Sequence, residues 1–331
     1  MTKTKITFLI LFGVGLIGIS LFLGFRLYSI KDSGEKKVSG STASTAGTND
    51  FSKVIEENIK KYHPKEDFWK KNYSNFDVFS DAAIVVDFDS GQILYEKNGD
   101  NKFPPASTMK IVTATVVLEN LKKDQLITIS DRAVGMEPNK IGFKPNEKFE
   151  VEDLLYGTMM LSANDAAEAL AEEIEGGRNE FLKKMNILAK KLGLKNSHFS
   201  NPSGLDDQNM YLSTFDLVAF TKYALLNHPE ILTYMGTKDY EIKKTDHNEG
   251  YSLYHLSFML GEYPGLDGVK TGYTYDAGHT FLGTAKRGKH RLIVAFFNSR
   301  DANEDCRSLF DFGFSRIPEL EKFLNSINSN N

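Results

Sequence analysis

Within Pro104-Pro105-Ala106-Ser107-Thr108-Met109-Lys110-Ile111-Val112, two prolines punctuate the chain, a serine follows, and an apolar run extends from Met109 to Leu118. That run reads as a buried helix opened by Ser107. Residues three apart on a helix share a face, so the spacing Ser-x-x-Lys sets the Lys110 amine beside the Ser107 hydroxyl. Serine is a poor nucleophile until a base takes its proton. A free lysine, with a pKa of about 10.4, is the wrong base near neutrality, and bringing it to about 7–8 costs roughly 4 kcal/mol. Burial and a nearby cation can supply that shift. A serine at a helix start also meets the helix amides, which favour developing negative charge.

Outward from this segment, the two sides differ. Ala82 to Phe88 is strand-like, Asp89-Ser90-Gly91 is a turn, and Gln92 to Glu96 is a second strand, which together make a hairpin. After Ser107 the pattern turns helical. Val151 to Glu175 reads as one helix stopped by Gly176-Gly177, Asn179 to Leu192 as a second ended by Gly193, and Thr214 to Leu226 as a third. Leu282 to Ala285 and Arg291 to Phe297 are strands joined through Lys286-Arg287-Gly288-Lys289, and Asn303 to Phe312 is a closing helix. Strands at both ends with helices between them imply an α+β domain in which the terminal strands share one antiparallel sheet and an all-α subdomain is inserted.

Two further short motifs follow in order. Ser162-Ala163-Asn164 offers a hydroxyl to relay a proton and an amide to hold a carbonyl. Lys270-Thr271-Gly272 fits a strand edge that carries a cation, a hydroxyl and a glycine permitting close approach, and an extended peptide could pair with such an edge. Alone, each motif is weak. Ser33-Gly34-Glu35-Lys36 and Ser326-Ile327-Asn328 repeat the first two patterns in segments unsuited to a core. An isolated Ser107 would equally suit a helix N-cap, and an isolated Lys270 a solvated strand. Order and context together carry the argument.

Composition narrows the classes. The chain has 331 residues, a net charge of −4, one cysteine and seven histidines. Nothing marks it as a nucleic-acid binder. Cys306 alone cannot make an intrachain disulfide or a cysteine-rich zinc site, and no histidine pair has metal-ligand spacing, so neither a metal nor another cofactor is expected. Ile6 to Phe25 is almost wholly apolar and long enough to span a bilayer, with Lys3 and Lys5 before it. No small-x-small cleavage site follows, so the segment is expected to be an uncleaved anchor. Arg26, Lys31, Lys36 and Lys37 outnumber the preceding lysines, and that count alone would put the remainder in the cytoplasm. The expected organisation is an anchor over 1–30, a flexible linker over 31–50, an extension over 51–80, a catalytic domain over 81–316 and a tail over 317–331.

Taken with their surroundings, the motifs resemble those of the D-alanyl-D-alanine carboxypeptidases, the low-molecular-mass penicillin-binding proteins. Pro105 to Ala114 is similar to that family's nucleophile segment and Leu161 to Ala166 to its second motif. Asn201-Pro202-Ser203-Gly204-Leu205 and Leu212 to Thr214 resemble intervening segments, and Gly268 to Thr274 with Gly283 to Arg287 resembles the third. The resemblance spans Ala82 to Phe314. It implies a serine β-lactamase/DD-peptidase-like fold, an acyl-enzyme on Ser107, Lys110 as base, and Ser162 and Asn164 in proton relay and substrate amide binding. It implies carboxylate binding by Lys270 and Thr271 beside Gly272, an oxyanion hole from the backbone amides of Ser107 and Tyr273, and assistance from Arg300. The implied substrate is a peptidoglycan stem peptide ending in D-Ala-D-Ala, with β-lactam antibiotics as inhibitors. Since that substrate lies outside the cytoplasmic membrane, the catalytic domain is expected there too, against the charge count. A serine β-lactamase, a DD-endopeptidase and a catalytically silent wall-binding module are the alternatives. The first lacks its Glu-x-x-Leu-Asn run between the second and third motifs and has Ala163 where Asp is usual. An Asn-rich segment expected before the third motif is also missing over Tyr251 to Leu260.

Overall fold

Ala82, Ala83, Ile84, Val85 and Val86 are all buried. A run so rich in β-branched residues, with no solvated face, belongs inside a sheet covered on both sides. In the computed structural model, whose described residues are 46–72 and 75–329, this run forms β1 (Ser80–Asp87), and β2 (Ile93–Lys97) returns beside it. Three strands from the other end of the domain, β7 (Leu266–Thr274), β8 (Gly278–Arg287) and β9 (His290–Ser299), complete a five-stranded antiparallel sheet in the order β2-β1-β9-β8-β7. The β1–β2 turn is tied by Asp87, whose Oδ1 accepts from the Ser90 amide at 2.9 Å and the Ser90 hydroxyl at 2.6 Å.

The insert between the two strand groups holds α3 (Lys110–Asn120), α4 (Asp131–Val134), α5 (Val151–Met160), α6 (Asn164–Glu173), α7 (Gly177–Lys191), α8 (Thr214–Asn227) and α9 (Glu230–Gly236). It also carries two short ribbons, β3 (Leu126–Thr128) with β4 (Lys148–Glu150), and β5 (Asp239–Ile242) with β6 (Tyr251–Tyr254), so it is not purely helical. Every residue of α3 from Lys110 to Val117 is buried, and the helix packs against α5, α6, α7 and α8. Each buried valine or isoleucine there contributes roughly 1.5–3 kcal/mol. The central position of α3 fixes Lys110 where the helical layer meets the sheet.

Three expectations need correction. The single helix expected over Val151 to Glu175 is two, broken at Leu161-Ser162-Ala163, where Ser162 takes φ +60° and Ala163 is extended. The expected linker ends earlier, because Ala46–Tyr62 already forms α1. The expected tail contains α11 (Ile317–Asn328), which follows α10 (Ala302–Ser315). Its apolar residues Ile317, Leu320, Phe323, Leu324 and Ile327 recur at helical spacing, and Pro318 sits in its first turn. The expected anchor Ile6–Phe25 lies outside the described residues. No described helix is long and apolar enough to cross a membrane.

The extension and α11 meet at the β2 edge. The Lys65 amide donates to the Gly91 carbonyl and the Ile93 amide to the Lys65 carbonyl, both at 2.8 Å, so one residue caps that edge. Next to it, α2 (Asp67–Lys71) buries Phe68 and Trp69. The Phe68 ring meets Phe323 of α11 edge-on, with centroids 5.7 Å apart. Leu320 is fully buried. Leu320→Ala is therefore expected to cost about 2–5 kcal/mol in urea denaturation; an unchanged midpoint would show that α11 is not part of the folded unit.

Candidate active site

The chain reaches Ser107 through a strained entry. Ala106 has φ +46°, and Ala106–Met109 is a 3₁₀ turn that passes directly into α3. The Pro105 carbonyl anchors this entry, accepting the Thr108 hydroxyl at 2.5 Å and the Thr280 hydroxyl of β8 at 3.1 Å. One turn on, the fully buried Lys110 places Nζ 2.8 Å from Ser107 Oγ, 2.7 Å from Asn164 Oδ1 and 2.5 Å from the Ser203 carbonyl oxygen. The last two are acceptors only. A neutral amine must spend its two N–H bonds on them, which leaves its lone pair facing the Ser107 hydroxyl. Burial holds the Lys110 amine well below the ordinary lysine range, the charge of Lys270 adds to that, and Asp165 pulls the other way. Lys270 is buried too, and desolvation lowers it to about 7.

The break between α5 and α6 serves two side chains. Positive φ at a residue other than glycine costs of order 1–3 kcal/mol, and at Ser162 it sets the hydroxyl in the wall of the cavity over Ser107. Among the described residues that buried hydroxyl has no hydrogen-bond partner. Asn164 opens α6 with its amide donating to the Asn139 carbonyl at 2.7 Å. Its Nδ2 donates to the carbonyls of Glu137, at 2.9 Å, and Pro138, at 3.2 Å. The two carbonyls facing Nδ2 thus fix the side-chain amide so that Oδ1 meets Lys110. Both ends of Asn164 are engaged, so its first task is to position Lys110; the substrate-amide role implied by the resemblance would need one end released. Asp165, fully buried, accepts the amides of Ile141, Gly142 and Ala166 at 2.9–3.1 Å and so pins the loop whose carbonyls hold Asn164.

The third motif lies on β7, the edge of the sheet. A Cβ on Gly272 would stand 2.7 Å from the Ser107 nitrogen and 2.5 Å from Thr280 Oγ1, so only glycine lets this strand pass against the Ser107 amide. Thr271, Gly272 and Tyr273 line the cavity of about 380 Å³ over Ser107, together with Ser162, Pro138, Asn139, Leu256 and His279. Lys270 lies fully buried beneath, its Nζ 2.8 Å from the Thr271 carbonyl oxygen. Arg300 does not line this cavity. It is exposed and borders an adjoining hollow that shares Thr271 and Gly272.

Sequence reasoning missed the carbonyl of Ser203. Asn201 Oδ1 accepts the Ser203 and Gly204 amides at 3.1 and 2.8 Å, and Thr113 donates to the Pro202 carbonyl at 2.6 Å, so the turn is held rigid against α3. Gly204 has φ +84°, and a Cβ there would fall 2.0 Å from the Ala106 carbonyl oxygen. The turn itself was legible as Asn-Pro-Ser-Gly, but the direction of its carbonyl was not.

A sequence model described as D-alanyl-D-alanine carboxypeptidase, peptidase S11, matches residues 69–301. The chain belongs to that family. It is 36% identical over 244 residues to the D-alanyl-D-alanine carboxypeptidase DacF of Bacillus subtilis, a match covering 71% of this chain and 62% of DacF. The chain thus spans less than two thirds of that relative's length. Among solved structures it is similar to a D-alanyl-D-alanine carboxypeptidase from Mycobacterium tuberculosis, with a TM-score of 0.67 at 31% identity, covering 72% of this chain and 92% of that one. Penicillin-binding protein D2 of Listeria monocytogenes, in its cefotaxime-bound form, aligns with a TM-score of 0.64 at 32% identity, covering 73% and 99%. The match to the family ends before α11 and begins after α1. Because the family's third motif must touch the nucleophile's amide here, Gly272→Ala is expected to destabilise the domain by about 1–3 kcal/mol through overpacking. Equilibrium unfolding of the variant checks this, and an unchanged stability would mean that β7 can retreat from Ser107 freely.

Proposed function

We propose that this protein is a penicillin-sensitive serine D-alanyl-D-alanine carboxypeptidase that trims the terminal D-Ala of peptidoglycan stem peptides. The observation that carries the reading is the grip on Lys110, with two carbonyl oxygens taking its N–H bonds and the Ser107 hydroxyl 2.8 Å away. Lys110 takes the Ser107 proton as Oγ attacks the carbonyl carbon of the penultimate D-Ala. The resulting oxyanion is met by the backbone N–H of Ser107, against which Gly272 is packed, and by that of Tyr273. Ser162, whose hydroxyl has no partner among the described residues, passes a proton to the departing amine. The terminal carboxylate is received by Thr271, assisted by Arg300 in the adjoining hollow and by Lys270 beneath the strand. Water then hydrolyses the ester and returns Ser107.

β-Lactams fit the same reading, since they acylate the serine and no amine departs. Among the described residues, no carboxylate lines the cavity over Ser107. Deacylation therefore lacks a built-in general base of the kind a fast β-lactamase needs, and the acyl-enzyme persists. A silent wall-binding module would have no use for two buried, desolvated amines beside a serine. The cell-membrane location belongs to the same proposal: Ile6–Phe25 is a single-pass anchor, and the catalytic domain lies outside the membrane where stem peptides are.

Incubation of the full-length protein with a fluorescent penicillin tests the assignment. Wild type is expected to become covalently labelled, Ser107→Ala to lose labelling entirely, and Ser162→Ala to slow acylation by about 10²–10⁴-fold. An unlabelled but folded wild type sinks the reading. The pH profile gives a second check. Acylation rises with pH as Lys110 loses its proton, and the charge of Lys270 depresses the Lys110 pKa. Removing that charge with Lys270→Gln raises the pKa, so the acid limb is expected to move to higher pH. A limb that stays in place means that Lys110 is not the titrating base.

A further inference from the structure

The cavity over Ser107 does not stop at β7. Beyond Thr271 and Gly272 it opens into a second hollow of about 400 Å³, walled by Leu256 and Phe258 from the loop between β6 and β7, by Phe281 of β8, and by Arg300. Leu256, Thr271, Gly272 and His279 border both spaces, so a peptide lying across Ser107 enters the second one without leaving the cleft. Arg300 and the Thr271 hydroxyl suit a carboxylate, while the Pro138, Asn139 and Tyr273 side of the first cavity offers no cation. Asp301, also in the wall, is occupied capping α10, its Oδ1 accepting the Glu304 amide at 3.1 Å. The residue that bears the chain-terminal carboxylate, which is the leaving group, therefore sits in the second hollow.

That space is far larger than the methyl group of D-alanine requires. Its apolar wall is also unusual, since Leu256 and Phe258 are 45% and 62% exposed at the mouth of a polar cleft. The loop backbone that carries it is tied down: the Leu256 amide donates to the Met160 carbonyl at 3.1 Å, and the Ser257 amide to His255 Nδ1 at 3.0 Å. Exposed apolar surface on a tethered loop beside a carboxylate-binding pair suits an apolar side chain on the same ligand.

We propose that this hollow is a leaving-group subsite for large apolar D-amino acids, so that the enzyme releases terminal D-leucine or D-phenylalanine as well as D-alanine, with Leu256 and Phe258 setting the breadth. The proposal rests on the carboxypeptidase reading above. The bond changes are those of D-alanine release. The Ser107 Oγ–carbonyl bond forms, the peptide C–N bond breaks, and the serine proton ends on the departing amine.

The test is kinetic. Full-length protein is given diacetyl-L-lysyl-D-alanyl-D-alanine and its analogues ending in D-leucine or D-phenylalanine, and the released amino acid is quantified by chiral chromatography. Wild type is expected to turn over the D-leucine peptide with kcat/KM within about tenfold of the D-alanine peptide. Leu256→Asp and Phe258→Ser are each expected to lower the ratio of D-leucine to D-alanine release about tenfold, with fluorescent-penicillin labelling confirming that each variant is folded. A wild-type ratio below about one hundredth, or a ratio that neither variant moves, overturns the proposal. Release of neither amino acid by wild type instead overturns the carboxypeptidase reading, and the proposal falls with it.

Discussion

Lys110 carries its amine into an interior from which water is excluded, and the surrounding structure is arranged to satisfy that amine without solvating it. A buried ammonium is costly unless paired, and among the described residues no carboxylate hydrogen-bonds to this amine; its neighbours are a hydroxyl, a side-chain amide and a backbone carbonyl. Each neighbour is in turn immobilised. Asn164 is held by two loop carbonyls, that loop by Asp165, and Ser203 by Asn201. The outcome is an amine held in one direction and pushed well below the ordinary lysine range, alongside backbone strain at Ala106 and Ser162.

The sheet shows a matching division of labour. Its β2 edge is capped by Lys65 and backed by α2 and α11, whereas its β7 edge faces the cleft. Lys65 and α11, which lie outside the family match, thus help to cover the edge away from the cleft, while α1 packs on α7 and α8, and α10 on β9, β1 and β8. Glycines do the opposite work at β7. Gly272 and, across the entry, Gly204 each occupy a place where a methyl group would collide with backbone around Ser107.

What could be read from the sequence divides along physical lines. The hairpin of β1 and β2, the helix after Ser107 and the strands β8 and β9 were legible because long apolar runs with turn residues between them have few alternative fates. Ser107, Lys110, Ser162, Asn164, Lys270, Thr271 and Gly272 were legible through side-chain chemistry in a recognisable order and Tyr273 only through the family resemblance; in the structure Ser107, Ser162, Thr271, Gly272 and Tyr273 line one cleft, Lys110 and Asn164 are hydrogen-bonded behind Ser107, and Lys270 is buried beneath. The break at Ser162 was not legible, because Leu161 and Ala163 continue the apolar spacing of a helix, and only tertiary contacts with the 137–142 loop override it. Strands of three or four residues, as in the two ribbons, are too short for alternation to register. The Ser203 carbonyl was invisible for a deeper reason: every residue has one, and only the fold decides which of them matters. Arg300, placed by loose likeness alone, borders the adjoining hollow rather than the space over Ser107.

The uncapped β7 has a consequence for the protein in company. A sheet edge can accept an extended backbone, and the cleft end of this one is flanked by Tyr273 and Tyr275, 63% and 93% exposed. The strand edge that borders the cleft is consequently also a place where another extended backbone can adhere. Crowded together with the cleft empty, neighbouring copies would find in one another's open strand a place to adhere.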